Sequence, residues 1–165
     1  MNSFVFLFVL VFSFPIFTQT IEVSFVADSR FGKVNGKFTK SQIQVSKDEK
    51  TAQVSVDISS LQTGNSLRDR HLLGEDFFYV EKYPTANFIL ESLTPIGENL
   101  FRGSGKLTIK NVTKEISFQL SQTQDKAKAY IGTTEINRFD FGVNYDSMIN
   151  KISEKVLIHF KITKD

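Results

Sequence analysis

The chain has 165 residues, which is enough for one globular domain of ordinary size and too few for two. Twenty Lys and Arg residues against 18 Asp and Glu give a net charge of +2, and no basic run stands out, so nucleic-acid binding is not expected. The absence of cysteine excludes disulfides, zinc–thiolate sites, cysteine nucleophiles and an acylated lipoprotein cysteine. The two histidines, His71 and His159, are far apart in sequence, so no metal site is expected.

The N-terminal segment is typical of an export signal. No charged side chain precedes Glu22, and the apolar run from Phe4 to Phe17 has the length of a signal-peptide core but is short for a membrane span. We predict a signal peptide over residues 1–19 and one domain over residues 20–165, with a retained anchor or a buried N-terminal strand as alternatives. The prediction implies a periplasmic or extracellular protein with no stable membrane span after cleavage.

Apolar and polar residues alternate along most of the remaining chain, as in half-buried β-strands. The alternation begins at residues 21–28 and continues in a long extended stretch over residues 31–46, where Gly32 and Gly36 indicate a bend or bulge. Similar segments follow at residues 52–58, 88–90, 101–109, 116–120 and 156–162. The pattern predicts about eight antiparallel strands, each with one apolar face.

One segment interrupts the alternation and predicts a short helix. Ser66 is suited to be the N-cap, Asp69 follows three residues later in the capping-box position, and Gly74 suits the helix C-terminus. A second short turn over residues 75–78 leads to Tyr83-Pro84, where the chain must become extended again. We therefore predict one helical insertion after the third strand.

Eight antiparallel strands with one apolar face each can form a sandwich or close into a barrel. An eight-stranded barrel either fills its interior with side chains or holds one small ligand. The large inward residues fit a filled core and an apolar tunnel, and on the alternation alone the filled core is the favoured interpretation. These residues are Phe25, Phe88, Phe101, Phe118 and Phe160.

Four blocks of sequence resemble the YceI-like family, in order and spacing. The segment from Ser60 to Phe88 contains SLQTGN, RD, HL, DFF and YP in the family's arrangement. Residues 34–38 resemble its V-x-G-x-F strand, residues 105–114 its G-x-LTI-x-x-VTK hairpin, and residues 136–142 its I-N-R-x-D-F-G block. Together the blocks cover about residues 21–163.

The resemblance implies an all-β protein, an eight-stranded antiparallel lipocalin-like β-barrel with a helical segment near its mouth. It also implies a long apolar tunnel for an isoprenoid or related lipid chain, in a family whose members are commonly exported to the periplasm. We expect non-catalytic binding or transport of an isoprenoid or fatty-acyl lipid, with no cofactor besides that ligand. The residues expected to line the tunnel are Phe25, Phe38, Val56, Phe88, Phe101, Phe118 and Phe160.

Charged residues near the predicted tunnel mouth have two interpretations. Arg68 and Asp69 are adjacent, so they do not face each other on one helix, and we expect them to pair with groups such as Arg138 and Asp140. The alternative is that Arg68 and Arg138 bind a lipid head group, since the planar guanidinium suits a pyrophosphate.

Three further residues at the mouth also have two interpretations. His71 either meets a head group or forms a hydrogen bond to a nearby carboxylate or carbonyl within the helical insertion. Phe77 and Phe78 either gate the tunnel or fasten the helix to the barrel. In each case the structural interpretation is favoured.

Two other classes of function are alternatives to lipid binding. An enzyme could use His71 as an acid or base with Asp69, Glu75 or Asp76, but the chain has no nucleophile motif, metal-ligand set or cofactor loop. An envelope stress or scaffold protein would have a filled barrel and act through protein contacts. The oligomeric state stays open, with a homodimer among the options.

Overall fold

The computed structural model describes residues 19–46, 50–124, 129–145 and 151–164, and the predicted signal peptide lies outside them except for its last residue. The described residues form an all-β protein with one α-helix, α1 (Ser66–Leu73), and short 3₁₀ turns at Ile58–Ser60 and Arg138–Phe141. The strands are β1 (Gln19–Ser29), β2 (Gly32–Phe38), β3 (Ser41–Val45), β4 (Ala52–Asp57), β5 (Leu61–Gln62), β6 (Thr85–Gly97), β7 (Leu100–Ile109), β8 (Val112–Gln122), β9 (Tyr130–Asn137) and β10 (Ile152–Lys164).

All described strands belong to one antiparallel sheet, in the order β3-β4-β6-β7-β8-β9-β10-β1-β2-β5. The sheet curls into a half-barrel, which brings its edge strand β3 back alongside β1. Inward side chains are apolar and outward ones are mostly polar, because neighbouring residues of a strand point to opposite faces. The predicted all-β, antiparallel architecture is confirmed.

The sheet has ten strands in the described residues, so the prediction of eight is wrong. The stretch at 31–46, expected as one strand, bends at Thr39–Lys40 and divides into β2 and β3. In β2 the even-numbered residues Val34 and Phe38 face the interior, whereas in β3 the odd-numbered Ile43 does. The alternation is therefore shifted by one residue at the bend, as in a β-bulge. The two-residue β5 supplies the other additional strand, and the helix therefore follows the fifth strand rather than the third.

Backbone contacts with the 3₁₀ turn at Ile58–Ser60 hold this bend in place. The Thr39 N–H donates to the Ser60 carbonyl at 3.2 Å, and the Lys40 N–H donates to the Ser60 hydroxyl at 3.0 Å. The Asp57 N–H in turn donates to the Lys40 carbonyl at 3.0 Å. The bend is thus specified by a partner distant in sequence and not by Gly32 or Gly36.

The cap of α1 is Asn65, one residue before the predicted Ser66. Asn65 has an extended backbone, and its side-chain oxygen accepts from the N–H groups of Leu67 and Arg68, at 3.1 Å each. Ser66 is the first helical residue, so its hydroxyl is not in the capping position. After the helix the chain folds back on its last turn, where the Phe78 N–H donates to the Leu72 carbonyl at 3.1 Å.

Replacing Asn65 with Ala is expected to lower the free energy of unfolding by about 1 kcal/mol, because two N–H groups of the first turn lose their acceptor. Ser66→Ala is the matched control, since it removes a similar polar group one residue later, and its effect should stay within about 0.5 kcal/mol. Urea unfolding of both variants provides the measurement. Equal losses in the two variants, or a larger loss for Ser66→Ala, would contradict the cap assignment.

Helix α1 covers one end of the curled sheet, which we call the helix end. Leu72 and Phe77 are buried there with Ile136, Phe141 and Val143, and Phe141 is 2% exposed. The opposite end, where β1 begins and β10 ends, is called the far end. In the described part of the chain, no helix has the length and apolarity needed to cross a bilayer.

Candidate functional site

An elongated apolar cavity occupies the interior of the curled sheet. Its volume is about 430 Å³, within the range of roughly 300–1,000 Å³ for small-molecule pockets. Its lining extends from Gln19 and Ile162 at the far end to Leu72 and Phe141 at the helix end. The filled core that the alternation favoured is therefore not what the structure has, because the interior contains this space.

Every residue expected to line the tunnel lines the cavity. Their rings pack edge to face along the wall, with ring centroids 5.8 Å apart for Phe88 and Phe118 and 5.4 Å apart for Phe118 and Phe160. The residues are Phe25, Phe38, Val56, Phe88, Phe101, Phe118 and Phe160.

Glycines on neighbouring strands explain why so many large rings leave the interior open. Gly132 is the register partner of Phe160, and a Cβ built on it would overlap the ring. The same overlap occurs where a phenylalanine ring lies over a glycine of the next strand. Those pairs are Phe25 with Gly36, Phe118 with Gly103 and Phe88 with Gly105. Each ring occupies space that a side chain at the glycine would otherwise take, which leaves more of the interior open.

Gly132→Ala should destabilise the protein by about 1–3 kcal/mol, because the new methyl group displaces the Phe160 ring in a packed wall. Phe160→Leu removes the rigid ring, so the double variant should lose less stability than the sum of the single variants. Urea unfolding of the four proteins in this cycle measures the coupling. Additive losses would show that the ring does not depend on the glycine.

Arg138 lies in the cavity wall with its guanidinium occupied by backbone carbonyls. Its side chain is 5% exposed and donates to the carbonyls of Val143 at 2.6 Å, Ser153 at 3.0 Å and Ile152 at 3.2 Å. The guanidinium also lies 4.3 Å from the centroid of the Phe139 ring. These contacts join the 3₁₀ turn to the start of β10, which is a structural role.

Arg68 and Asp69 do not line the cavity, and both bind Thr63. Arg68 donates from Nε to the Thr63 hydroxyl and from Nη2 to the Thr63 carbonyl, at 2.8 Å each. The Asp69 carboxylate accepts from the Thr63 N–H at 2.8 Å and from its hydroxyl. The expected pairing of Arg68 and Asp69 with Arg138 and Asp140 is therefore wrong, because a threonine just before the helix takes both side chains.

The aromatic residues after α1 fasten the helix to the sheet. Phe77 is 3% exposed, lines the cavity and contacts the Tyr145 ring at a centroid distance of 4.8 Å. Phe78 also lines the cavity and meets the Phe38 ring edge to face at 6.4 Å. His71 is exposed and does not line the cavity; its ring lies against those of Phe77 and Tyr145. Within the part of the chain that the structure describes, His71 makes ring contacts rather than the expected side-chain hydrogen bond.

Displaced pKa values occur on the outer surface. The pKa of Asp57 is lowered, chiefly by the hydrogen bond from the Ser59 hydroxyl, and the pKa of Lys106 is raised by its hydrogen bond to Glu91. Of the described residues that line the cavity, Arg138 is the one with a charged side chain. Within the same part of the chain, no group of three or more His, Cys, Asp or Glu could hold a metal ion. The described wall of the cavity is thus almost wholly apolar.

Comparison with known proteins agrees with this architecture. Residues 15–164 match the YceI-like domain. The chain belongs to the YceI-like family. A UPF0312 protein of Shewanella denitrificans is 30% identical over 130 residues, which cover 74% of this chain and 66% of that protein. A UPF0312 protein of Pseudomonas putida strain W619 is 30% identical over 122 residues, or 68% and 62% of the two chains. The chain spans just under two thirds of the length of these curated relatives.

Solved structures share the fold of this YceI-like protein. BcnA of Burkholderia cenocepacia superposes with a TM-score of 0.77 and 26% identity, over 88% of this chain and 96% of that one. The YceI protein of Campylobacter jejuni gives 0.60 and 25%, over 80% and 85%. A polyisoprenoid-binding domain from Saccharophagus degradans, implicated in plant cell wall breakdown, gives 0.68 over 87% and 93% of the chains. Its identity is 18%, so that likeness concerns the fold.

Proposed function

We propose that this protein binds one long-chain apolar lipid, an isoprenoid or a fatty-acyl chain, inside the cavity and without covalent chemistry. The observation that carries the proposal is the elongated cavity of about 430 Å³. Its wall consists mainly of apolar side chains, and glycines on neighbouring strands provide the space in which the phenylalanine rings pack. Such a space suits a chain rather than a compact polar metabolite, because the wall presents few hydrogen-bonding groups.

The driving force for binding is removal of the chain from water. Burial of each CH₂ group contributes about 0.8 kcal/mol, so a chain of roughly a dozen carbons gains about 10 kcal/mol before association costs. Those costs are about 4–15 kcal/mol, so useful affinity requires that most of the chain be enclosed. Selectivity for length is soft, because one CH₂ more or less changes the affinity only modestly.

The biological role proposed is carriage or buffering of such a lipid in the cell envelope. The uncharged apolar segment at residues 4–17 supports export. The fold is also that of a domain from Saccharophagus degradans described as polyisoprenoid-binding. The alternative drawn from the sequence is a filled barrel that acts through protein contacts. The cavity in the interior does not support that alternative.

The test begins with lipids that the protein carries when it is purified. Mass spectrometry of an organic extract, with native mass spectrometry of the intact protein beside it, should reveal about one long-chain molecule per chain. After lipid removal, the protein should take up all-trans-retinol or cis-parinaric acid, two fluorescent probes with long apolar chains, in the same ratio. An empty protein that takes up neither probe would overturn the proposal.

A further inference from the structure

A seam separates β1 from β3 in the wall of the cavity. The two strands are neighbours in space, yet β1 forms ladders with β10 and β2, and the described pairing of β3 is with β4. The ladder between β1 and β2 begins at Val23, so residues 19–22 of β1 have ladder partners on β10 only. At this boundary the two strands approach each other, and among the described residues no strand ladder joins them.

The seam has one anchored end. At the bend, Thr39 and Lys40 are held by three hydrogen bonds that involve Ser60 and Asp57. From that point the seam runs toward the far end, where β1 begins at Gln19. The strands can therefore separate progressively from the far end while the bend stays in place.

Both sides of the seam line the cavity. Ile21 and Val23 of β1 and Ile43 and Val45 of β3 belong to its wall, so separating the strands exposes the cavity directly.

We infer that the apolar chain enters and leaves the cavity sideways, through the seam between β1 and β3; this rests on the proposed lipid binding. Parting these strands breaks no strand ladder, whereas parting any of the paired strands does. A lateral opening also lets a long chain slip in along its length, so the chain need not thread end first past the phenylalanine rings.

A reducible link across the seam tests this inference. The chain has no cysteine, so Thr20→Cys with Gln42→Cys places two unique thiols at exposed positions on the two strands. A bismaleimide with an internal disulfide joins the two thiols, and a second pair, Thr20→Cys with Gln44→Cys, moves the link along β3.

In stopped-flow fluorescence, linking the strands should slow retinol uptake by about tenfold or more and leave the final amount of bound retinol unchanged. Reduction should restore the rate.

The control is the same link across a boundary that already has a ladder. Glu22 and Lys161 are exposed register partners in the β1–β10 pair, so Glu22→Cys with Lys161→Cys should change the rate by less than about twofold. Normal uptake by the seam-linked protein would overturn the lateral route and leave lipid binding intact. Failure of every reduced protein to take up retinol would overturn both proposals.

Discussion

Val54→Trp is expected to weaken lipid binding by about tenfold or more while the protein remains folded. Val54 lies on β4 in the middle of the cavity wall, where its register partners are Ile43 and Phe88. The indole would fill space that the chain of the ligand needs, because the cavity measures only about 430 Å³. We expect retinol affinity to fall by about tenfold or more, which corresponds to 1.4 kcal/mol per factor of ten. Fluorescence titration of the lipid-free protein gives the value.

The matched control is Gln53→Trp, on the same strand but facing outward. Gln53 is exposed, so the same indole there should leave retinol affinity within about twofold of the natural protein. Circular dichroism and urea unfolding establish that both variants keep the fold. If the two variants bound retinol equally well, the cavity would not be the lipid site.

The direction of the inward side chains could be predicted from the sequence because it depends only on local alternation. Phe25, Phe118 and Phe160 all face the interior, as the period of two requires. Whether their rings fill that interior depends on which residue of the neighbouring strand lies beneath each ring. That residue can be identified only when the register of the strand pairing is known. The inward glycines at positions 36, 103, 105 and 132 were the missed signal, since an apolar face that repeatedly lacks a side chain leaves room for rings.

Features set by contacts between distant residues could not be predicted in the same way. The bend at Thr39–Lys40 contains neither glycine nor proline, and it depends on Ser60, which alternation does not connect with it. Asn65 and Ser66 are both good capping residues, so composition does not distinguish them. Arg68 and Asp69 both form hydrogen bonds with Thr63 and so fix the backbone just before the helix. With the backbone fixed in this way, Asn65 occupies the capping position.

Arg138→Met should destabilise the fold by about 3 kcal/mol or more, because three backbone carbonyls lose a charged donor at a site that excludes water. Arg138→Lys should recover only part of the loss, since one ammonium group does not match the fork of the guanidinium. Lys110→Met is the control at the same turn. It removes a single hydrogen bond, from the Lys110 ammonium to the Gly142 carbonyl, and should lose about 1 kcal/mol.

The two interpretations of Arg138 predict opposite patterns of stability and binding. If the residue binds a head group, Arg138→Met lowers affinity for a charged lipid such as parinarate and leaves affinity for neutral retinol and the stability nearly unchanged. If it holds the 3₁₀ turn to β10, stability falls and the folded protein binds both probes with affinities within about twofold of their original values. We expect the second pattern, because the guanidinium already donates to three carbonyls and is 5% exposed. A buried cation with that many backbone partners contributes to the shape of the cavity, so we expect the affinity for lipid to depend on the apolar wall.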